Sequence, residues 1–172
     1  MSRVGIEQLI WLMDQAFDAP EPPYEHSLLA NLRSLTIDDW HWLPPGGDRP
    51  IFEIAVHIGA CKFVYENHAF GDGSMRWDVP RSIPGVGRGA TPPEILDWLR
   101  EAHATLRASV AALADDDELT RRRNANWGEE YETRWLIKTM IEHDLYHGGE
   151  INHIRSQHQE NDRWEWLQDN AR

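Results

Sequence analysis

Apolar side chains recur at spacings of three and four residues in several stretches of the chain, which is the pattern of amphipathic helices. The predicted helical stretches are residues 4–17, 24–35, 50–70, 91–113 and about 133–159. Prolines at positions 20, 22 and 23 separate the first two stretches, so these two form one interrupted helical region. No repeat and no strand-like alternation stands out along the chain. The pattern therefore predicts an all-α protein.

The connections between the helices differ in length and composition. A short loop passes through Pro44, Pro45 and Gly46, whereas residues 71–90 are rich in Gly, Pro and Arg and show neither helical nor strand periodicity. Such a length is unusual for a connection inside a compact domain, so this segment is a candidate lid that helps to shape a pocket, or else a surface excursion. Thr91 and Glu94 then have the spacing of a capping box at the start of the next helix.

Helices that each offer one apolar face bury it best against one another. We therefore expect an antiparallel up-and-down four-helix bundle with an interrupted first helical region and a long loop between the second and third main helices. The 172 residues are expected to form a single domain, residues 1–172, because that length suits one core of useful size.

The charge balance excludes one broad class of partner. With 29 acidic against 17 basic side chains the net charge is −12, so a nucleic-acid backbone would be repelled. The short basic run at residues 121–123 is expected to cap a helix end and to pair with the acidic run at residues 115–118. No membrane span is expected, because no stretch approaches 18 consecutive apolar residues.

The single cysteine and the N-terminus bear on the cellular compartment. Cys61 has no cysteine with which to form an intramolecular disulfide, and the first residues lack the cationic head and apolar run of a secretory signal. Both observations favour a cytoplasmic protein.

Three histidines carry the strongest chemical signal. His143 and His147 are four residues apart on a predicted helix, so both project from the same face on successive turns. A third histidine, His57, lies in the middle of the second long helix. If the two helix faces meet across the core, the three imidazoles form a metal site; otherwise His57 is an ordinary core histidine and the pair lies on a wet surface.

Three further side chains lie near these histidines along the sequence. Cys61, one turn after His57, is either a fourth ligand, a nucleophile or a small buried hydrophobe. Glu53, one turn before His57, either orients that imidazole, acts as a base or answers the helix dipole. Glu150 has the same open alternatives. No catalytic base can be assigned from spacing.

Four segments together resemble the DinB/YfiT-like family of metal-binding four-helix bundles. They are FEIAVHIG around His57, HDLYHGGEI around His143 and His147, WLPPGG before the second long helix and NWGEEYETRW before the last. The resemblance covers nearly the whole chain and implies that His57, His143 and His147 are the metal ligands. It also implies a homodimer, since the family often pairs subunits through bundle helices. This chain has Glu150 where the family often has glutamine, and a carboxylate cannot donate a hydrogen bond as an amide does.

An open three-histidine site favours chemistry over a purely structural metal, which is more often closed by four protein ligands. Zinc is the first expectation for the divalent metal, with nickel or iron as further candidates. The resemblance implies a transferase that uses a low-molecular-weight thiol such as bacillithiol or mycothiol, so we expect metal-activated addition or transfer of a small thiol to an electrophile. The alternatives are a non-catalytic, metal-stabilised stress-response or interaction protein and a metal-dependent hydrolase.

Overall fold

The computed structural model describes residues 2–77 and 90–162 of the chain. In these ranges it contains six α-helices, which are α1 (Val4–Asp18), α2 (Leu28–Arg33), α3 (Ile37–His41), α4 (Ile51–Phe70), α5 (Pro92–Ala111) and α6 (Thr133–Gln159). Two short 3₁₀ turns, Tyr24–His26 and Asp116–Thr120, and a hairpin of strands β1 (Arg122–Asn124) and β2 (Glu130–Glu132) connect them. The expected all-α class is confirmed, and the antiparallel up-and-down order of the bundle stays a prediction. The candidate lid falls mainly on residues 78–89, outside the described residues.

Each of the four long helices packs against two of the others, so that together they enclose the core. Helix α4 packs against α5 and α6, and α1 packs against the same two helices from the other side. Gly59 allows the close approach of α4 and α5, because a Cβ atom there would overlap the Trp98 ring. Helix α4 is buried along much of its circumference and thus holds its side chains in fixed positions between two neighbours.

The interrupted first region consists of α1, α2 and the short helix α3, the last of which sequence periodicity did not indicate. Five residues are too few to show a helical period, but α3 has a capping box in which Asp39 accepts the Thr36 backbone N–H at 2.6 Å. The buried Asp39 also accepts a hydrogen bond from His158 near the end of α6, at 2.7 Å. This contact ties α3 to the last helix.

The start of α5 confirms the prediction made from its sequence. The Glu94 carboxylate accepts both the backbone N–H and the hydroxyl of Thr91, each at 2.8 Å. The helix ends at Ala111, two residues before the predicted end.

The β-hairpin corrects the expectation that the chain has no strands. Arg122 and Arg123 lie in β1 and not at a helix end, although the expected pairing with the acidic run is confirmed by a 2.7 Å contact between Arg123 and Glu118. Strands of three residues are too short to show alternation. Gly128, with a φ of +89°, provides the backbone conformation that the connecting turn needs.

Along the described part of the chain, no helix combines the length and the apolar character that a membrane crossing requires.

Candidate metal centre

The structure brings His57, His143 and His147 together. Helix α4 supplies His57 and α6 supplies the other two, and one ring nitrogen from each lies within 4.8 Å of the others. The sequence placed the three on facing helix stripes, and the packing of α4 against α6 makes those stripes meet. His147 is 3% exposed, whereas His57 and His143 are half-buried. The cluster thus has a buried side and a side towards solvent.

Two of the imidazole nitrogens are in contact. His143 Nε2 lies 3.2 Å from His57 Nε2, and the ring centroids of His143 and His147 are 4.4 Å apart. Two nitrogens of a tetrahedral zinc site lie about 3.3 Å apart, given a zinc–nitrogen bond of about 2.05 Å. Two such nitrogens either share a proton or bind one ion, and the 3.2 Å spacing is close to that between two ligands of one zinc ion.

The protonation states of the cluster suit a metal cation. Burial, followed by the nearby His147 and Arg49, lowers the pKa of His57, and burial with the neighbouring His147 and His57 lowers the pKa of His143 to about 3. Both imidazoles are therefore neutral at pH 7 and offer a lone pair. Neutral imidazole is the form that ligates metals, so the donor set fits a divalent transition metal.

Glu150 fixes the orientation of His147. Its carboxylate lies 2.6 Å from His147 Nδ1, which must donate the hydrogen bond because the carboxylate can only accept. The Nε2 atom then remains as the ligating nitrogen, as in the carboxylate–histidine pairs that support many metal sites. Arg49, in the segment before α4, contacts both carboxylate oxygens of Glu150 at 3.4 Å and holds the carboxylate in turn.

The chain matches the model of a known protein family over most of its length. The family model of the DinB superfamily matches residues 25–151, which include the whole of the histidine cluster. The chain belongs to the DinB superfamily. A search of the curated proteins finds no match.

Cys61 lies beside the histidine cluster of this chain but is not one of its members. Its sulfur is 3.6 Å from His57 Nε2, and the side chain is 3% exposed. Burial raises the pKa of the thiol to about 12, so without a bound metal the thiol is protonated at neutral pH and is a poor nucleophile. Of the three alternatives for this residue, the small buried hydrophobe suits the structure best.

The two glutamates considered with the histidines have different surroundings. Glu53 is exposed in the first turn of α4, where a carboxylate answers the helix dipole. Glu150, in contrast, contacts His147 and therefore takes the orienting role that was one of its alternatives. Sequence reasoning did not single out Arg49, because an isolated arginine in a loop carries no periodic or motif signal.

A buried ion pair adjoins the cluster and was also missed. Lys62 Nζ lies 2.6 Å from Asp144 Oδ2, and the two side chains are 1% and 2% exposed. Lys62 follows Cys61, the neighbour of the cluster in α4, and Asp144 follows His143 in α6. The sequence signal that could have indicated this pair is the lysine within the apolar segment ACKFV, because a lysine is rarely buried unless it is paired with an opposite charge.

Proposed function

We propose that this DinB superfamily protein is a metal-dependent S-transferase in which His57, His143 and His147 hold a divalent transition metal, zinc in the first instance and otherwise nickel or iron. The observation that carries the proposal is the donor set. In the described ranges three histidines converge with no carboxylate or cysteine among them, so the protein supplies three ligands. A three-ligand site leaves a position for a substrate.

The side chains of the chain prepare this site in three ways. The low pKa values of His57 and His143 keep both imidazoles ready to ligate, and Glu150 aims His147. The buried side of the cluster limits access of water to one direction. A bound divalent metal would supply the positive charge that stabilises a low-molecular-weight thiol as its thiolate at neutral pH. The thiol proton would pass to solvent, and the sulfur would form a bond to an electrophilic carbon that enters from the half-exposed side. In a transfer the displaced group would leave with the bonding electron pair, and in an addition the adjacent atom would take up a proton.

The two alternatives have less support. A hydrolase needs a base near the attacking water, yet Glu53 is exposed in the first turn of α4 and Glu150 is engaged by His147 and Arg49. A metal with a purely structural role would be expected to hold the fold together, but α4 and α6 are already joined by the Lys62–Asp144 pair and by a shared apolar core.

Metal content is the first test. Tag-free protein expressed without added metal is compared by elemental analysis with the His143→Ala/His147→Ala double variant, whose folding is checked by circular dichroism. His153→Ala is the matched control, because His153 lies on the same helix but is exposed. We expect close to one metal per chain in the parent and control and none in the double variant. Equal metal in all three, or none in a parent exposed to zinc and nickel, would contradict the proposal.

Thiol dependence is the second test. The metal-loaded protein is assayed with a general electrophile such as 1-chloro-2,4-dinitrobenzene in the presence of several small thiols. A transferase turns over only when a thiol is added, and the double variant is inactive. Turnover of an ester without thiol would favour the hydrolase, whereas unfolding on chelation without any turnover would favour the structural metal.

We also propose a homodimer, as the resemblance implies. Leu12 of α1 and Leu145 of α6 are 37% and 44% exposed and line a shallow groove between these two helices. Analytical ultracentrifugation of the parent and of Leu145→Glu tests the proposal. A parent that sediments as a monomer at micromolar concentration would contradict it.

A further inference from the structure

Four aromatic rings meet at the end of the α4–α6 seam that is remote from Glu150. Tyr131 of β2 and Trp135 of α6 stack with centroids 4.0 Å apart and an interplanar angle of 16°. Trp127, in the hairpin turn, stands nearly perpendicular to both, at 62° and 77°. Its ring also contacts Tyr65 of α4, with centroids 5.7 Å apart. We call this group the aromatic corner.

The corner is accessible to solvent, and hydrogen bonds of the hairpin hold its backbone in place. Trp127 is 45% exposed, which is unusual for the centre of an aromatic cluster. The turn that carries it is closed by a 2.7 Å hydrogen bond from the Ala125 N–H to the Glu129 carbonyl, and Arg123 of β1 bonds the Thr133 hydroxyl at 2.9 Å. The backbone thus presents the Trp127 ring to solvent in a fixed position.

A carboxylate without a cation lies at this corner. Glu129 accepts a hydrogen bond from Trp127 Nε1 at 3.2 Å and another from the Tyr131 hydroxyl, and these bonds lower the pKa of Glu129. The neighbouring carboxylates of the hairpin differ, since Glu130 pairs with Arg122 and Glu132 pairs with Arg134. Within the described ranges, Glu129 has no basic partner. Its charge therefore adds to the negative potential of the ring faces.

The corner lies along the same two helices as the histidine cluster. Tyr65 lies eight residues after His57 on α4, and Trp135 lies eight residues before His143 on α6. At 1.5 Å per residue each aromatic ring is about 12 Å along the bundle from its histidine. The residues midway between these positions on the two helices are small, Cys61 and Thr139.

We infer that the aromatic corner and Glu129 form a binding site for an organic ammonium group. A cation over the face of Trp or Tyr is attracted by the ring quadrupole, and a nearby carboxylate adds a direct charge interaction. The net charge of −12 favours the approach of a cation to this surface. The binding of a cation at this corner does not depend on the proposed function. The further step, that the corner receives the cationic end of the electrophile or the thiol, rests on the proposed function.

Tetramethylammonium chloride is the probe, and the indole N–H signals of ¹⁵N-labelled protein are the readout. The Trp127 signal is identified from its absence in Trp127→Phe. We expect this signal to shift saturably with tetramethylammonium, while equal concentrations of sodium chloride and of the neutral tert-butanol leave it in place. The Trp11 signal serves as an internal reference, because Trp11 is 47% exposed but lies on α1, outside the corner.

Two conservative variants decide the role of the carboxylate. Glu129→Gln should weaken binding of tetramethylammonium by up to about fivefold, as expected for the loss of an exposed charge pair, and Glu130→Gln should leave it unchanged. An equal response to tert-butanol, no saturable shift of Trp127, or equal weakening in both glutamate variants would overturn the inference.

The titration is repeated with the His143→Ala/His147→Ala variant to separate this inference from the proposed function. We expect unchanged affinity for tetramethylammonium there, whatever the metal analysis of the parent shows. Loss of the cation response in this folded variant would overturn the assignment of the site to the aromatic corner.

Discussion

The histidine cluster and the Lys62–Asp144 pair lie side by side between α4 and α6, yet they satisfy their polar groups in opposite ways. Lys62 and Asp144 face each other at 2.6 Å and are almost fully buried, so each provides the main charge partner of the other. The nitrogens of His57 and His143 face each other at 3.2 Å and are both neutral. In the ion pair each charge meets its opposite, although Asp144 Oδ1 has no hydrogen-bond partner among the described residues. The histidines, in contrast, have lone pairs that can bind a metal ion.

This difference indicates which of the two polar groups is available to bind a ligand. Burial raises the pKa of Asp144, and the Lys62 ammonium opposes that rise, so the pair depends on both members being present. The histidines have no such dependence, because a neutral imidazole is tolerated in a partly buried place. We therefore assign a structural role to the ion pair and a ligating role, as proposed above, to the histidines.

Breaking the ion pair is expected to have the largest effect. Asp144→Ala leaves the Lys62 ammonium buried without a partner, which should lower the free energy of unfolding by about 3–5 kcal/mol. Urea denaturation of metal-free protein, followed by circular dichroism, measures the loss. His57→Ala under the same conditions should cost much less, because His57 is half-buried and neutral.

The double variant Lys62→Met/Asp144→Leu is the control for this prediction. Replacing both members by apolar side chains of similar size removes the charges together and is often neutral or stabilising. If the double variant were as unstable as Asp144→Ala, the loss would come from packing and not from a stranded charge.

Removing Glu150 is expected to act on the histidine cluster alone. Glu150→Ala frees the His147 ring to rotate, and the loss of such an orienting carboxylate typically lowers metal affinity about tenfold to a hundredfold. Competition with a chromophoric chelator gives the affinity. Stability of the metal-free protein should change little, because the Glu150 side chain is 30% exposed.

Glu142→Ala is the matched control for Glu150, because Glu142 lies on the same helix and pairs with Lys138 at the surface. An equal drop in metal affinity for both variants would show that the effect of Glu150 is one of overall charge and not of orientation.

His103 is a buried histidine outside the metal site, so the effect of a neutral imidazole on stability can be tested there without the metal. His103 stacks on Phe17 with centroids 4.0 Å apart, and burial, assisted by Lys62, lowers its pKa to about 3 against the opposing effect of Asp14. Between pH 6.5 and 3 the unfolded chain binds a proton at this residue that the folded chain does not. Stability should therefore fall as the pH falls, by up to about 1.4 kcal/mol per pH unit for this histidine.

Urea unfolding at several values between pH 6.5 and 4.5 tests this dependence above the range of most carboxylates. His103→Phe keeps a ring against Phe17 and should reduce the slope, without abolishing it, because the lowered pKa values of His57 and His143 act in the same direction. An unchanged slope in His103→Phe would show that His103 is protonated in the folded chain.

The long helices and the meeting of the three histidines could be predicted from the sequence, because both depend on periodicity. A repeat of 3.6 residues marks α4 and α6, and the same repeat places His143 and His147 on the face that turns towards His57. The capping box at Thr91 was predictable for a similar reason, since its signal is local and has a fixed spacing.

Features that depend on contacts between distant parts of the chain could not be predicted. Arg49 reaches Glu150 across 101 positions, and Lys62 reaches Asp144 across 82, so no local pattern links them. The hairpin was not predicted for a different reason. Its strands have three residues each, which are too few to show the alternation of apolar and polar positions. The sequence thus indicated the histidines but not the charges that surround them.

The smallest effect is expected at Cys61, the residue that joins the two regions along α4. Because burial keeps the thiol protonated, with a pKa of about 12, Cys61→Ala should leave the metal stoichiometry unchanged and cost about 1 kcal/mol of stability from lost packing. Cobalt-substituted protein gives the sharper readout, since a coordinated thiolate produces an intense charge-transfer absorption band. Such a band in the parent, absent from Cys61→Ala, would make the sulfur a fourth ligand. The histidine site would then be closed, as the ion pair is, and the contrast between the two regions would be lost.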